Sequence, residues 1–117
     1  MMKLGMIGCG KVMQHYEKLL DSVSDINIDS LYDLNPNILD KYDKKYKKCN
    51  DLKKLFDSKP DLICILSPSG DHFETSKKCI ENNFHILVEK PLCLTPSECE
   101  ILLNLTLKHK TKIYCAF

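Results

Sequence analysis

Residues 4–16, Leu4-Gly5-Met6-Ile7-Gly8-Cys9-Gly10-Lys11-Val12-Met13-Gln14-His15-Tyr16, decide how this chain is read. A short apolar run meets two glycines one residue apart, and a helical pattern then begins with Val12, Tyr16, Leu19 and Leu20 on one face. Strand, glycine turn and helix in that order leave the first N–H groups of the helix unpaired. The helix dipole adds positive potential there, so a pyrophosphate can sit against Gly8, Cys9, Gly10, Lys11 and Val12. Gly8 permits the sharp turn, and Gly10 lets phosphates approach closely. The third position of the fingerprint G-x-G-x-x-G holds Met13, and because that glycine mainly serves helix-to-strand packing, its loss bears on packing before binding. Gly-x-Gly also closes ordinary tight turns, so the stretch needs support from elsewhere in the chain.

Composition narrows the classes. At 117 residues there is room for one domain that buries roughly two thirds of the surface its unfolded form exposes. Seventeen basic against sixteen acidic side chains leave a net +1, which points neither to nucleic acid nor to a membrane surface. The cysteines, at 9, 49, 64, 79, 93, 99 and 115, are odd in number and form no C-x-x-C pair. No His stands at metal-ligand spacing from them, so no metal is expected, and all seven read as reduced thiols in a cytoplasmic protein. Met6-Ile7-Gly8-Cys9 looks a little like a lipoprotein cleavage site, yet only about four apolar residues precede it where an export signal needs ~7–15. No apolar run approaches the ~18 residues of a membrane span.

Further along, Ile26 to Tyr32 reads as a second strand ending at Asp33. Asn35-Pro36 opens a helix with Asn as N-cap, expected to carry Lys41, Lys44, Lys45, Lys47 and Lys48 on a solvated face. Cys49 marks a short edge strand, and Asp51 to Ser58 a short helix. Leu62-Ile63-Cys64-Ile65-Leu66 is a continuous apolar run, as in a parallel strand covered on both faces. Asp71-x-x-Glu74 resembles a helix-opening box, His85 to Val88 forms a fifth strand, Thr95-Pro96-Ser97-Glu98 starts a helix, and Lys112 to Phe117 is a last strand. Strands alternating with helices imply an α/β fold, a Rossmann-type doubly wound parallel sheet of six strands ordered 3-2-1-4-5-6.

In such a sheet ligands gather beyond the carboxyl ends of the strands. The residues there are Gly8 to Val12, Asp33, Ser67 to His72, and Glu89 to Pro91. Asp33 follows Gly10 by twenty-three residues, near the ~20 expected of the acid that grips adenosine ribose hydroxyls, although it could also be a turn-former before Asn35-Pro36. Asp29, inside the strand, is the weaker candidate. A methyltransferase binding S-adenosylmethionine also uses a glycine turn and an acid after the second strand; Glu89-Lys90-Pro91 argues against it.

Gly8-Cys9-Gly10, Asp33, Ser67-Pro68-x-x-x-His72 and Glu89-Lys90-Pro91 together resemble the cofactor domain of the glucose-fructose oxidoreductase and inositol dehydrogenase (Gfo/Idh/MocA) family. The resemblance implies an NAD-dependent oxidoreductase, with NADP the lesser cofactor, acting on a hydroxyl-bearing carbon of a sugar, sugar nucleotide or polyol. It implies Lys90 as the catalytic lysine, a cis bond before Pro91 that aims it, Glu89 in the cofactor pocket, and His72 near the nicotinamide ribose. Ser67 stands where the family usually has Thr. The family's second, substrate-holding domain has no counterpart in these residues, so a possible homo-oligomer formed through that domain is not legible. A non-catalytic NAD-binding module is the alternative.

Overall fold

Leu62–Ile65 shows why the sheet must be covered on both sides. Ile63 and Ile65 enter one buried cluster while Cys64 enters the other, so the strand has no solvent face and reads as an unbroken apolar run. The computed structural model describes residues 1–116. Its elements in chain order are β1 (Met2–Ile7), α1 (Lys11–Leu20), β2 (Ile26–Tyr32), α2 (Pro36–Leu39), β3 (Lys47–Cys49), α3 (Leu52–Asp57), β4 (Leu62–Ile65), α4 (His72–Glu81), β5 (Ile86–Glu89), α5 (Pro96–His109) and β6 (Ile113–Ala116). All neighbouring strands pair in parallel in the order β3-β2-β1-β4-β5-β6, as the sequence predicts.

Two apolar layers sandwich this sheet. Met6, Met13, Leu31 and Tyr42 lie in one, with α1; Leu55 of α3, Ile80 of α4 and Leu102 of α5 close the other over Ile63, Ile65 and Val88. Met13, the residue in place of a third glycine, is wholly buried and contributes apolar volume to the first layer. Helix starts follow local chemistry. Asn35, Asp51 and Thr95 each accept an N–H of the helix they open, and Glu98 also takes the Leu94 N–H at 2.9 Å.

Several expectations need correction. The buried stripe of α1 runs through Met13, with Tyr16 and Leu20 partly buried, while Val12 and Leu19 are exposed; the true face is set one residue later than the apolar pattern suggested. The lysine-rich helix is only four residues long. Beyond Leu39 the chain turns so that Tyr42 and Tyr46 become buried, and Lys47 and Lys48 stand in β3. Burying two aromatic rings and satisfying their hydroxyls outweighs a few more turns of exposed helix. Asp71 does sit at the start of α4 but makes no side-chain cap, because a 3₁₀ turn at Ser69–Asp71 leads in with αR backbone at Asp71. Cys93 and Cys99 are joined as a disulfide, with Cα atoms 5.9 Å apart; the turn into α5 brings together two cysteines that their six-residue spacing alone does not pair. Cys9, Cys49, Cys64, Cys79 and Cys115 remain free. The predicted end of the last strand at Phe117 lies outside the described residues. No helix among the described residues is long and apolar enough to cross a membrane.

Burial, first of all, pushes the Cys9, Cys64 and Cys79 thiols up from 9.0 to about 12. The native state therefore keeps protons that the unfolded chain releases. Urea-unfolding midpoints are expected to fall as pH rises from about 9 toward 12, since above the unfolded value the unfolded state binds fewer protons. In the same assay Ile65→Ala is expected to cost about 2–5 kcal/mol and Leu107→Ala, on the exposed side of α5, under about 0.5 kcal/mol.

Candidate cofactor site

Parallel strands point their carboxyl ends to one edge, and four of the expected segments meet there. The turn after β1 is fastened on both sides: Gly8 N–H donates to the Tyr32 carbonyl at 2.9 Å, and Leu66 N–H donates to the Ile7 carbonyl at 2.7 Å. Gly8 has φ +90°, and a Cβ there would stand 2.5 Å from the Ser67 backbone nitrogen, so only glycine fits. Gly10 is different. Nothing lies within 4 Å of where its Cβ would be, and it caps α1 without any side-chain bond, which leaves the first-turn N–H groups of the helix facing open space.

Asp33 reaches the turn directly. Its Oδ2 accepts Cys9 N–H at 2.8 Å and its Oδ1 accepts Asn35 N–H at 2.9 Å. Each carboxylate oxygen has a further lone pair, so the acid shapes the turn and can still receive hydroxyl donors. The Cys9 side chain is buried, 3.5 Å from the Tyr32 carbonyl, and faces away from the open side. Its thiol is pushed up to about 12 by burial, then by the Asp33 charge, against a lowering by the Tyr32 backbone bond. Asp29 stands apart, paired with Lys47 at 3.5 Å on the neighbouring strand.

A cavity of about 220 Å³ opens beside Gly8 and Asp33, lined also by Ser67, Pro68, Asp71 and Lys78 among others; Cys9, Gly10, Lys11 and Val12 do not line it. Ser67 lines it, and its Oγ is buried with no hydrogen-bond partner. An unpartnered hydroxyl in a polar cleft marks a place where a ligand group can bond. Lys11 and Val12 are exposed at the start of α1.

The fifth-strand segment lies beside this cavity and does not line it. Glu89 ends β5 and accepts the Tyr16 hydroxyl at 2.9 Å, Lys90 is exposed, and the Lys90–Pro91 bond is cis. Burial first, and then Glu89, hold the Tyr16 phenol up near 12, so it remains a donor. His72 is wholly buried, its ring nitrogens 2.6 Å from the Ser67 and Pro91 carbonyls.

Sequence reasoning missed two tyrosines. Tyr42 donates to the Cys9 carbonyl at 2.8 Å and so braces the glycine turn from outside, while Tyr16 ties α1 to Glu89. The signal was present for Tyr42, an aromatic residue inside a run of lysines, where burial needs a special reason. Among the described residues there is no group of three or more His, Cys, Asp or Glu able to hold a metal ion.

Known proteins resemble this chain in sequence and in fold. Glucose-6-phosphate 3-dehydrogenase of Bacillus subtilis is 26% identical over 104 residues, covering 87% of this chain and 29% of that protein. A Gfo/Idh/MocA family oxidoreductase structure from Vibrio cholerae superimposes with a TM-score of 0.90 at 27% identity, over 100% of this chain and 39% of that one. The WlbA dehydrogenase of Bordetella pertussis, solved with NADH and UDP-GlcNAcA, has the same fold at a TM-score of 0.90 and 16% identity, over 98% of this chain and 34% of that one. The chain thus spans about a third of the length of such relatives. The family profile described as an oxidoreductase family with an NAD-binding Rossmann fold matches residues 2–117, and the chain therefore belongs to the Gfo/Idh/MocA oxidoreductases as their NAD-binding domain.

Proposed function

We propose that this domain holds NAD for hydride transfer to or from a hydroxyl-bearing carbon of a sugar, sugar nucleotide or polyol. The observation that carries the reading is the uncapped start of α1 over the open face of Gly10, with Asp33 and Ser67, whose hydroxyl is unpartnered, lining one cleft. The pyrophosphate would rest on the backbone N–H groups of Gly10, Lys11 and Val12, the adenosine ribose on Asp33, and the cleft wall of Ser67 and Pro68 would follow the cofactor toward Glu89, Lys90 and Pro91. When bound, the nicotinamide supplies the hydride acceptor or donor. Lys90 is the proposed catalytic residue: its ammonium would stabilise a developing alkoxide or exchange a proton with the reacting hydroxyl. The substrate would be oriented by residues beyond this domain, since the chain spans about a third of the length of its relatives.

NAD is proposed over NADP because Asp33 would face a 2′-phosphate at ~4 Å with about 4 kcal/mol of repulsion per unit charge at an effective dielectric of 20. Calorimetry with both cofactors tests this, with tighter NAD binding expected. The informative variant is Asp33→Asn, which keeps one of the two backbone bonds where Ala would orphan both the Cys9 and Asn35 N–H groups; it should narrow the NAD/NADP gap by about tenfold or more. An unchanged gap counts against Asp33 as the discriminating acid.

Joined to a substrate domain in a turning-over enzyme, Lys90→Ala should lower kcat and kcat/KM together by roughly 10²–10⁴ and leave NAD affinity within a few fold. Collapse of NAD affinity with kcat intact would make Lys90 a cofactor anchor. The 117-residue chain itself is expected to bind NAD and to produce no NADH from polyols or sugars, because Lys90 is exposed to water.

A further inference from the structure

His72 is the first residue of α4, yet its ring is 1% exposed and spans two loops that no strand pairing connects at that point. Nε2 lies 2.6 Å from the Ser67 carbonyl oxygen and Nδ1 lies 2.6 Å from the Pro91 carbonyl oxygen. Both partners can only accept. Whichever nitrogen carries the N–H, the ring donates to one of the two carbonyls and fills the space up to the other.

We propose that His72 is a positioning residue, a buried ring that ties the turn after β4 to the turn after β5 and so sets where Lys90 stands. The proposal deepens the reading of Lys90 given above and rests on it for its functional meaning. Lys90 is flanked by two anchored neighbours: Glu89 is held by Tyr16 from α1, and Pro91 is held by His72 from α4. An exposed lysine aimed in this way needs no contact of its own. Ser67, which lines the cleft, is held by the same ring through its carbonyl, so one side chain keeps the cleft wall and the lysine in register.

The test uses the 117-residue chain, labelled with ¹⁵N-histidine, at neutral pH and without cofactor. A variant with His15, His85 and His109 changed to Gln leaves His72 as the one labelled ring. A slowly exchanging ring N–H signal from it is expected; a ring N–H that exchanges as fast as that of free imidazole overturns the proposal. In His72→Gln, which can reach one carbonyl but not both, amide hydrogen exchange at Lys90 and Leu92 should rise by about tenfold or more while β1 and β2 amides keep their protection. Unchanged exchange at Lys90 and Leu92 also overturns it. Should His72→Gln fail to fold, the ring signal of the histidine-depleted variant decides alone. Neither readout involves NAD, so absence of NAD binding would count against the proposed function and leave the His72 result standing.

Discussion

The contact on which the site depends is backbone against backbone, where Gly8 leaves β1 and passes the start of the turn after β4. The space that a Cβ at residue 8 would need is taken by the Ser67 nitrogen at 2.5 Å and the Leu66 carbonyl carbon at 2.8 Å. Both are main-chain atoms of the turn that leaves β4, so neither can swing aside as a side chain could. The hydrogen bonds Gly8 to Tyr32 and Leu66 to Ile7 hold the approach from both directions. A wider gap would carry Ser67 away from the glycine turn, and with Ser67 would go the wall of the cleft. It is here, between β1 and β4, that the winding of the sheet reverses and a crevice opens.

Around that contact the polar groups serve twice. Asp33 shapes the turn through Cys9 N–H before it can meet any ligand, Glu89 accepts the Tyr16 hydroxyl, and Tyr42 braces the turn through the Cys9 carbonyl. Each bond belongs to the free protein. Preorganisation of this kind lowers the ordering that binding would otherwise require. It also means that truncating any of these residues removes scaffold together with contact, and isosteric changes separate the two more cleanly. Ser67 Oγ differs, since it is buried with no partner of its own.

The apolar face of the sheet is unevenly covered. The three helices α3, α4 and α5 close one side completely, with Leu55, Ile80 and Leu102 fully buried. On the other side α1 lies with β1 and β2, and Tyr114 of β6 is 50% exposed beyond it. That asymmetry follows from the crossovers: the right-handed connections on either side of the β1–β4 boundary put their helices on opposite faces.

Much of this was readable in order along the chain. Alternation of apolar runs with helical patterns determined a parallel α/β sheet and its strand order, because burial on both faces leaves a strand no polar residues to alternate with. Gly8 and Gly10, Asp33 and Glu89-Lys90-Pro91 could be placed at the carboxyl edge of the sheet because each directly follows or ends a strand. What the sequence could not determine were contacts between residues far apart in it. Tyr16 meets Glu89 across seventy-three positions, Tyr42 meets Cys9 across thirty-three, and His72 meets Ser67 and Pro91 at once. Tertiary packing also overruled a local pattern after Leu39, where burial of Tyr42 and Tyr46 ended a helix that lysine and apolar spacing favoured. Local periodicity records which face of an element is buried; which distant hydroxyl, carbonyl or carboxylate waits on the other side is decided only when the strands are laid in register, since hydrogen bonds are satisfied by distance and angle in space and leave no periodic trace in the chain.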